Sequence, residues 1–124
     1  MPLQSIAAEG NVLHVYDFKV KPGCGDEFIQ LFNEFDYSDE NLMHRSKAQV
    51  KDGVLCRDTE DPDRFYLIGE WRSVEEHRAL LKEISSKSRP KFFSLLAEPK
   101  FAPSYGKVVS STPAEYLAKI AQDK

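Results

Sequence analysis

The segment from Asp61 to Leu81 constrains the fold most, because it predicts a strand that runs directly into a helix. Asp61-Pro62-Asp63 is typical of a turn, since proline presets φ and aspartate side chains bond nearby backbone groups. From Arg64 to Arg72, apolar and polar residues alternate with the period of a strand. The inward face of this strand is expected to carry Phe65, Leu67, Gly69 and Trp71.

The helix that follows is predicted from its first turn. Ser73 and Glu76 have the spacing of a capping box, in which the serine hydroxyl bonds the N–H three residues further on. The apolar stripe of this helix consists of Val74, His77, Leu81 and Ile84, with Leu80 beside it. Trp71 is then the last inward residue of the strand, so its ring is expected either to fill the core or to line a pocket.

An earlier strand and helix are predicted by the same periodicities. The residues from Asn11 to Val20 alternate, and Lys21-Pro22-Gly23 ends the run. Its inward face carries Val12, His14, Tyr16, Phe18 and Val20. Gly25 and Asp26 then begin a helix with an apolar stripe of Phe28, Leu31, Phe32 and Phe35.

The stretch from Lys47 to Thr59 has two interpretations. It is either one long strand with a bulge at Gly53 or a short hairpin that turns at Asp52-Gly53. We favour the bulged strand, because Val54-Leu55-Cys56 leads directly toward the next strand.

Three further elements are predicted toward the end of the chain. Ser88 is expected to cap a second helix with Pro90 in its first turn. A final strand is expected over Phe101–Ser110, and Thr112 is expected to cap a short closing helix.

Without the extra helices, the element order is β-α-β-β-α-β, the ferredoxin-like α+β arrangement with helices on one face of the sheet. The other face must be covered. Its expected residues, partly apolar, are Leu13, Val15, Tyr66 and Ile68. This favours a homodimer with sheets packed face to face, with a solvated face as the alternative. The chain then divides into an N-terminal arm (1–10), loose or exchanged with a partner, a domain (11–110) and a C-terminal helix (111–124).

Composition excludes several classes of function. A chain of 124 residues with 41% hydrophobic and 30% charged residues suits one globular domain. The net charge of −3 and the absence of a basic patch argue against nucleic acid as a partner. No run approaches the roughly 20 apolar residues of a membrane span, so no membrane partner is expected.

The cysteines and the ligand-type residues set further limits. Cys24 and Cys56 are expected to be free thiols in a cytoplasmic protein, with one bridge between them as the lesser alternative. No metal-binding, phosphate-binding or nucleophile motif is present, so no metal site is expected.

Several of these segments together resemble a known family. They are the strand that closes on Lys21-Pro22-Gly23, the phenylalanine-rich helix, the run from Arg57 to Phe65, and Glu70-Trp71-Arg72-Ser73 with acidic residues after it. In this combination the chain resembles the antibiotic biosynthesis monooxygenase (ABM) domain of the dimeric α+β barrel superfamily, over about Asn11 to Ser110.

The resemblance implies a ferredoxin-like protomer, a homodimer whose sheets form a barrel, and a pocket between sheet and helices. Some members oxidise aromatic compounds with O₂ and without a metal or flavin, and others degrade haem. Trp71 matches a tryptophan found near the pocket. Leu80 and Leu81 stand where haem-degrading members carry a histidine, and Tyr16 stands where they carry an asparagine. No cofactor is therefore expected.

Strand parity predicts which side chains share the pocket face with Trp71. His14 is the candidate base, since an imidazole near neutral pKa can take a proton from a phenol or quinol. Tyr16 and His77 complete the candidate catalytic set. The candidate substrate-binding residues are Phe18, Phe65, Leu67, Trp71 and Arg72. Each of these also has a plain structural interpretation, as a packed core residue or a solvated arginine.

Taken together, the sequence favours a cofactor-independent monooxygenase that acts on a small aromatic compound of the phenol or quinol type. The alternative is a non-catalytic ligand-binding or assembly domain, or an O₂-independent isomerase, on the same scaffold, because fold alone does not choose between them.

Overall fold

The computed structural model describes residues 2–87, 89–98 and 102–123. Its strands are β1 (Val12–Lys19), β2 (Gln49–Arg57), β3 (Arg64–Trp71) and β4 (Ser104–Lys107). Its helices are α1 (Gly25–Asp36), α2 (Val74–Lys87) and α3 (Ala114–Gln122), with short 3₁₀ helices at Leu42–Arg45 and Lys91–Leu95. Among the described residues, no helix is long and apolar enough to cross a membrane.

The strands form one antiparallel sheet in the order β2-β3-β1-β4. Strand β1 is central, and its register pairs Phe18 with Phe65 and His14 with Gly69 in β3. Helices α1 and α2 contact the same face of the sheet, through Phe28 against Phe65 and through His77 against Trp71. The predicted ferredoxin-like α+β fold, with an added C-terminal helix, is confirmed.

Local signals explain most of the boundaries. The Ser73 hydroxyl accepts the Glu76 N–H at 3.2 Å, so α2 begins at the predicted cap. Strand β2 is continuous, with register shifts against β3 between Gln49 and Val54. The bulged-strand interpretation is therefore confirmed, and the hairpin at Asp52-Gly53 is wrong.

Three predictions near the C-terminus are corrected. The second helix is only the 3₁₀ helix Lys91–Leu95, with Pro90 at its N-cap, and the predicted cap Ser88 lies outside the described residues. Among described residues, the last strand spans only Ser104–Lys107, because it pairs with just the first half of β1. Pro113, not Thr112, is the N-cap of α3, which has no side-chain cap.

The N-terminal arm contacts the sheet of the same chain. Glu70 points away from the helices, yet it is only 1% exposed because the arm covers it. Its Oε2 accepts the Ala8 N–H and the Asn11 amide, both at 2.8 Å. Burial pushes the pKa of Glu70 upward, but these bonds hold it below its usual value. A buried carboxylate needs such donors, and here they come from Ala8 in the arm and from Asn11 directly after it.

Candidate active site

A cavity lies between the sheet and helices α1 and α2. The space open to the centre of a water molecule is about 70 Å³, roughly five times what one ordered water requires. Its apolar walls are formed by Phe18, Phe32, Phe35, Leu67, Leu81 and Ile84. A narrow pocket with aromatic walls suits a flat compound with a single ring.

Two glycines make room for the His14 ring at the floor of this cavity. His14 lies opposite Gly69 in the β1–β3 ladder. A Cβ added at Gly69 would lie 2.6 Å from His14 Nε2, and one at Gly53 would lie 3.6 Å from the same atom. The imidazole therefore rests directly on the backbone of β3 and β2.

His14 has one nitrogen without a partner. The side chain is only 4% exposed, and its buried Nδ1 makes no hydrogen bond among the described residues. Burial lowers the pKa of His14 to about 4, although a backbone hydrogen bond at Leu67 and the charge of Asp52 act in the opposite direction. The ring is therefore neutral at pH 7. With Nε2 against the strand backbone, Nδ1 is the ring nitrogen that has no hydrogen-bond partner among the described residues.

His77 stacks on His14 but has no free nitrogen. The ring centroids are 4.7 Å apart at an interplanar angle of 26°. His77 Nε2 lies 3.4 Å from the Tyr16 hydroxyl, and Nδ1 lies 2.7 Å from the Tyr105 hydroxyl. Burial and the adjacent His14 lower the pKa of His77 to about 3. His77 is thus a neutral ring held between two tyrosines.

Tyr16 and Trp71 complete the buried end of the cavity. Burial and the nearby Tyr105 raise the pKa of Tyr16, so it remains a neutral phenol. Trp71 is 1% exposed, and its ring meets the His77 ring edge-on at 4.8 Å. Its buried Nε1 has no hydrogen-bond partner among the described residues. Two residues that line the cavity therefore each carry a buried polar atom without a described partner, a donor on Trp71 and a nitrogen on His14.

The cavity also has an acidic part. Asp36 and Asp52 both line it. His44 Nε2 lies 3.4 Å from Asp36 Oδ1 and 2.9 Å from Asp52 Oδ1. Asn41 donates to Asp36 Oδ1 at 3.0 Å. The ligand-type atoms of Asp36, His44 and Asp52 lie within 4.8 Å of one another, so these three residues are the described group that could hold a metal ion.

The predicted site residues fall into two groups. Lining the cavity are His14, Tyr16, Phe18, Leu67, Trp71 and His77. Phe65 and Arg72 are not among the described lining residues. Phe65 is fully buried in the phenylalanine core, with the Arg57 guanidinium 5.2 Å from its ring centre. Arg72 is exposed, and its Nη1 donates to the Lys47 carbonyl at 3.0 Å.

Sequence reasoning missed Tyr105 and the two carboxylates. Tyr105 pairs with His14 across β1 and β4, and this register could not be read from a strand predicted as ten residues long. Asp36 ends α1, where the helical pattern blurs, and Asp52 sits at the β2 irregularity. The Asp52-Gly53 pair was the sequence signal available for this irregularity in β2, but the same pair also indicated a hairpin turn.

Fold and cavity together define the class of molecule: a ferredoxin-like α+β protomer with a pocket between sheet and helices. Solved structures with this fold include a Bordetella bronchiseptica protein assigned as an antibiotic biosynthesis monooxygenase, at TM-score 0.60 and 20% identity, covering 82% of this chain and 100% of that one. A second is SnoaB of Streptomyces nogalater, a cofactor-independent oxygenase, at TM-score 0.56 and 17% identity, covering 85% and 97%. A third is a dimeric ferredoxin-like protein from an uncultured marine organism, at TM-score 0.59 and 19% identity, covering 85% and 93%.

No protein-family model matches the chain. A search of curated proteins also finds no match. The resemblance to ABM domains is therefore confirmed as a shared fold. The chemistry of this chain must be argued from its own cavity.

Proposed function

We propose that the protein is a cofactor-independent monooxygenase that acts on a small compound of the phenol or quinol type. One observation carries the proposal. His14 and Trp71 both line the cavity, and each has a buried polar atom without a partner among the described residues, His14 Nδ1 and Trp71 Nε1. Buried polar groups are nearly always hydrogen-bonded, so this pair suits a ligand hydroxyl that donates to one atom and accepts from the other.

The reaction then needs little else from the protein. The substrate hydroxyl gives its proton to His14 Nδ1, and the Trp71 N–H stabilises the oxyanion that remains. The electron-rich anion reacts with O₂. One oxygen atom enters the substrate in place of two hydrogens and the other leaves as water, so the substrate supplies all the electrons. Aromatic walls hold the ring and keep bulk water away from the anion.

The pKa of His14 bears on which substrates fit. A base with a pKa of about 4 is neutral at pH 7 but accepts a proton weakly. Proton transfer is therefore favoured only for a hydroxyl whose anion is delocalised and is also hydrogen-bonded in the site. Phenols that carry an electron-withdrawing group, anthrones and quinols meet this condition better than aliphatic alcohols.

An oxygen electrode tests the proposal with a panel of phenols, anthrones and quinols. We expect O₂ uptake above the uncatalysed rate, with one O₂ consumed per product and a loss of roughly 10²-fold in His14→Gln. Tyr37→Phe, in an exposed tyrosine, is the control and should keep the full rate. Uptake that persists in His14→Gln would contradict the assignment of the base. Quenching of Trp71, the single tryptophan, without O₂ uptake would instead support a non-catalytic binding domain.

We also propose that the protein is a homodimer. The sheet face opposite the helices carries half-buried apolar side chains, among them Leu13, Val15 and Ile68, and Val54 of β2 is exposed. A dimer across this face would bury them, and the dimeric ferredoxin-like neighbour supports the arrangement. Light scattering should give a molar mass of twice the 14.2 kDa of one chain, and Ile68→Glu should reduce that mass to the mass of one chain. A monomeric wild type would overturn this proposal.

A cytoplasmic location completes the proposal. Cys24 and Cys56 are both free thiols, which suits a reducing compartment. Cellular fractionation with an antibody to the chain would test this, and recovery from an extracytoplasmic fraction would contradict it.

A further inference from the structure

The charged residues that line the cavity are all acidic. Asp36 and Asp52 are present, and the described lining includes no lysine or arginine. Two arginines are bonded elsewhere: Arg57 bonds Asp26 at 3.0 Å and the Pro62 carbonyl at 2.8 Å, while Arg72 bonds the Lys47 carbonyl. A carboxylate or phosphate on a ligand would therefore meet like charge here and no described compensating cation.

The two carboxylates have little to balance them. His44 is the basic group that the structure places against both, and Asn41 is a neutral donor to Asp36. Burial and the charge of Asp52 raise the pKa of Asp36, although His44 and Asn41 act in the opposite direction. A positive group on a ligand would relieve this repulsion, and Asp52 is the more exposed of the two carboxylates.

Other residues of the same cavity give an independent indication of a ligand. His14 and Trp71 both line the cavity, each is more than nine-tenths buried, and each has a polar atom without a partner among the described residues. The lining of one cavity therefore includes groups for a neutral hydroxyl and groups for a positive charge, together with aromatic walls. These two groups of residues together specify a ligand better than either one does.

We propose that the ligand is a phenolic amine: a single aromatic ring with a hydroxyl group toward His14 and Trp71 and an ammonium group toward Asp36 and Asp52. This inference rests on the proposed function, since it names the substrate class of the same cavity. It adds a selection by charge that the oxygenation chemistry does not require.

Three matched ligands test the inference by titration calorimetry on the full chain after dialysis against a chelator. Tyramine, 4-ethylphenol and 4-hydroxyphenylacetate share the phenol and differ in the charge at the far end. We expect tyramine to bind tightest and the acid weakest, with tenfold or more between them. Asp52→Asn should weaken tyramine about tenfold and leave 4-ethylphenol unchanged. Asp39→Asn is the matched control, because Asp39 is fully exposed and outside the described cavity lining.

The outcomes separate this inference from the proposed function. Equal affinity for the three ligands, preference for the acid, or no binding of any of them would overturn the phenolic amine. If 4-ethylphenol or a quinol still consumes O₂ through His14 in that case, the monooxygenase proposal stands. If tyramine is preferred and Asp52→Asn removes the preference without any O₂ uptake, the ligand class stands and the monooxygenase fails.

A metal ion is the remaining occupant to exclude. The acidic part of the cavity would be a metal site if Mn²⁺ or Zn²⁺ binds with micromolar affinity. That binding should then be lost in the variants Asp36→Asn, Asp52→Asn and His44→Gln, and it should be kept in Asp39→Asn. Such binding, together with no preference for tyramine, would overturn the inference. No metal binding, together with the preference, would support it.

Discussion

The two ends of one sheet face differ sharply in chemistry. At the end where β1 finishes, Phe18, Phe28, Phe65 and Phe92 pack ring against ring, with centroids of neighbouring pairs 4.8–6.4 Å apart. Phe28 and Phe65 are fully buried. Two inward-facing positions further along β1, the same face carries His14, with Trp71 nearby under His77; both have polar atoms without described partners, and both line the cavity.

The comparison shows how one strand serves both stability and a site. Strand β1 supplies Phe18 to the first end and His14 to the second, with the same inward alternation throughout. Packed phenylalanines stabilise the fold by burying apolar surface, and they carry no polar group that must be desolvated. Neutral histidines and an unpartnered indole N–H cost free energy that a ligand would recover. We therefore expect substitutions at the phenylalanine end to change stability, and those at the histidine end to change binding and pH dependence.

The largest effect should come from Phe28→Ala at the phenylalanine end. This removes a fully buried ring that contacts Phe18, Phe65 and Phe92. We expect the free energy of unfolding to fall by about 3–5 kcal/mol, measured by urea titration. Tyr37→Ala, at a side chain that is 79% exposed, should change it by less than about 0.5 kcal/mol. A small loss in Phe28→Ala would mean that this end is not a packed core.

The next effect is a pH dependence that belongs to the histidine end. The pKa values of about 4 for His14 and about 3 for His77 lie below the 6.5 of an unfolded histidine. Protons therefore bind the unfolded state first, and stability falls as the pH drops from 7 toward 4. Between pH 7.5 and 5.5 we expect each histidine to contribute a loss of about 1.4 kcal/mol.

His14→Gln should remove about half of this pH dependence, whatever it does to stability at pH 7.5. Urea titrations at the two pH values measure the difference directly. An identical dependence in wild type and His14→Gln would show that the ring is not held neutral by burial.

A smaller effect is expected where the sheet makes room for the imidazole. In Gly69→Ala the new Cβ would lie 2.6 Å from His14 Nε2 and 3.1 Å from the Gly53 Cα, so the ring and β2 must both shift. We expect a loss of about 1–3 kcal/mol and weaker phenol binding. Gly106→Ala is the matched control in β4, since nothing lies within 4 Å of its added Cβ. Equal effects of the two substitutions would refute the role given to Gly69.

The smallest effect should come from Tyr105→Phe. Losing the 2.7 Å contact to His77 Nδ1 should cost about 1 kcal/mol of stability. It should also shift the ¹⁵N resonances of His77, because the tautomer would no longer be fixed by that hydroxyl. Tyr37→Phe should change neither quantity. Unchanged His77 resonances in Tyr105→Phe would show that the tyrosine does not position the ring.

Periodicity was sufficient to predict the fold and much of the cavity floor. Strand parity placed His14, Tyr16 and Trp71 on one face, and the Ser73 cap fixed where α2 brings His77 down onto them. The same reasoning placed Phe65 in the site, because parity gives the face but not the position along the strand. Phe65 lies at the phenylalanine end of that face.

The remaining features depend on contacts between distant segments. Tyr105 reaches His77 across 28 positions of sequence. Asp36 and Asp52 meet only because the 3₁₀ helix at Leu42–Arg45 carries His44 between them. Glu70 lies on the face of β3 opposite Trp71, and its burial depends on the path of the N-terminal arm. No local sequence pattern predicts contacts between segments that are this far apart in the chain.

The central claim is that His14 Nδ1 and the Trp71 N–H are the atoms that bind a substrate hydroxyl. An NMR titration of ¹⁵N-labelled protein with 4-ethylphenol tests it most directly, since the chain has a single tryptophan indole signal and only three histidines. The account predicts that the Trp71 Nε1–H and His14 Nδ1 resonances shift together and saturate at the same ligand concentration. Binding that moves other resonances and leaves both of these unchanged would contradict it.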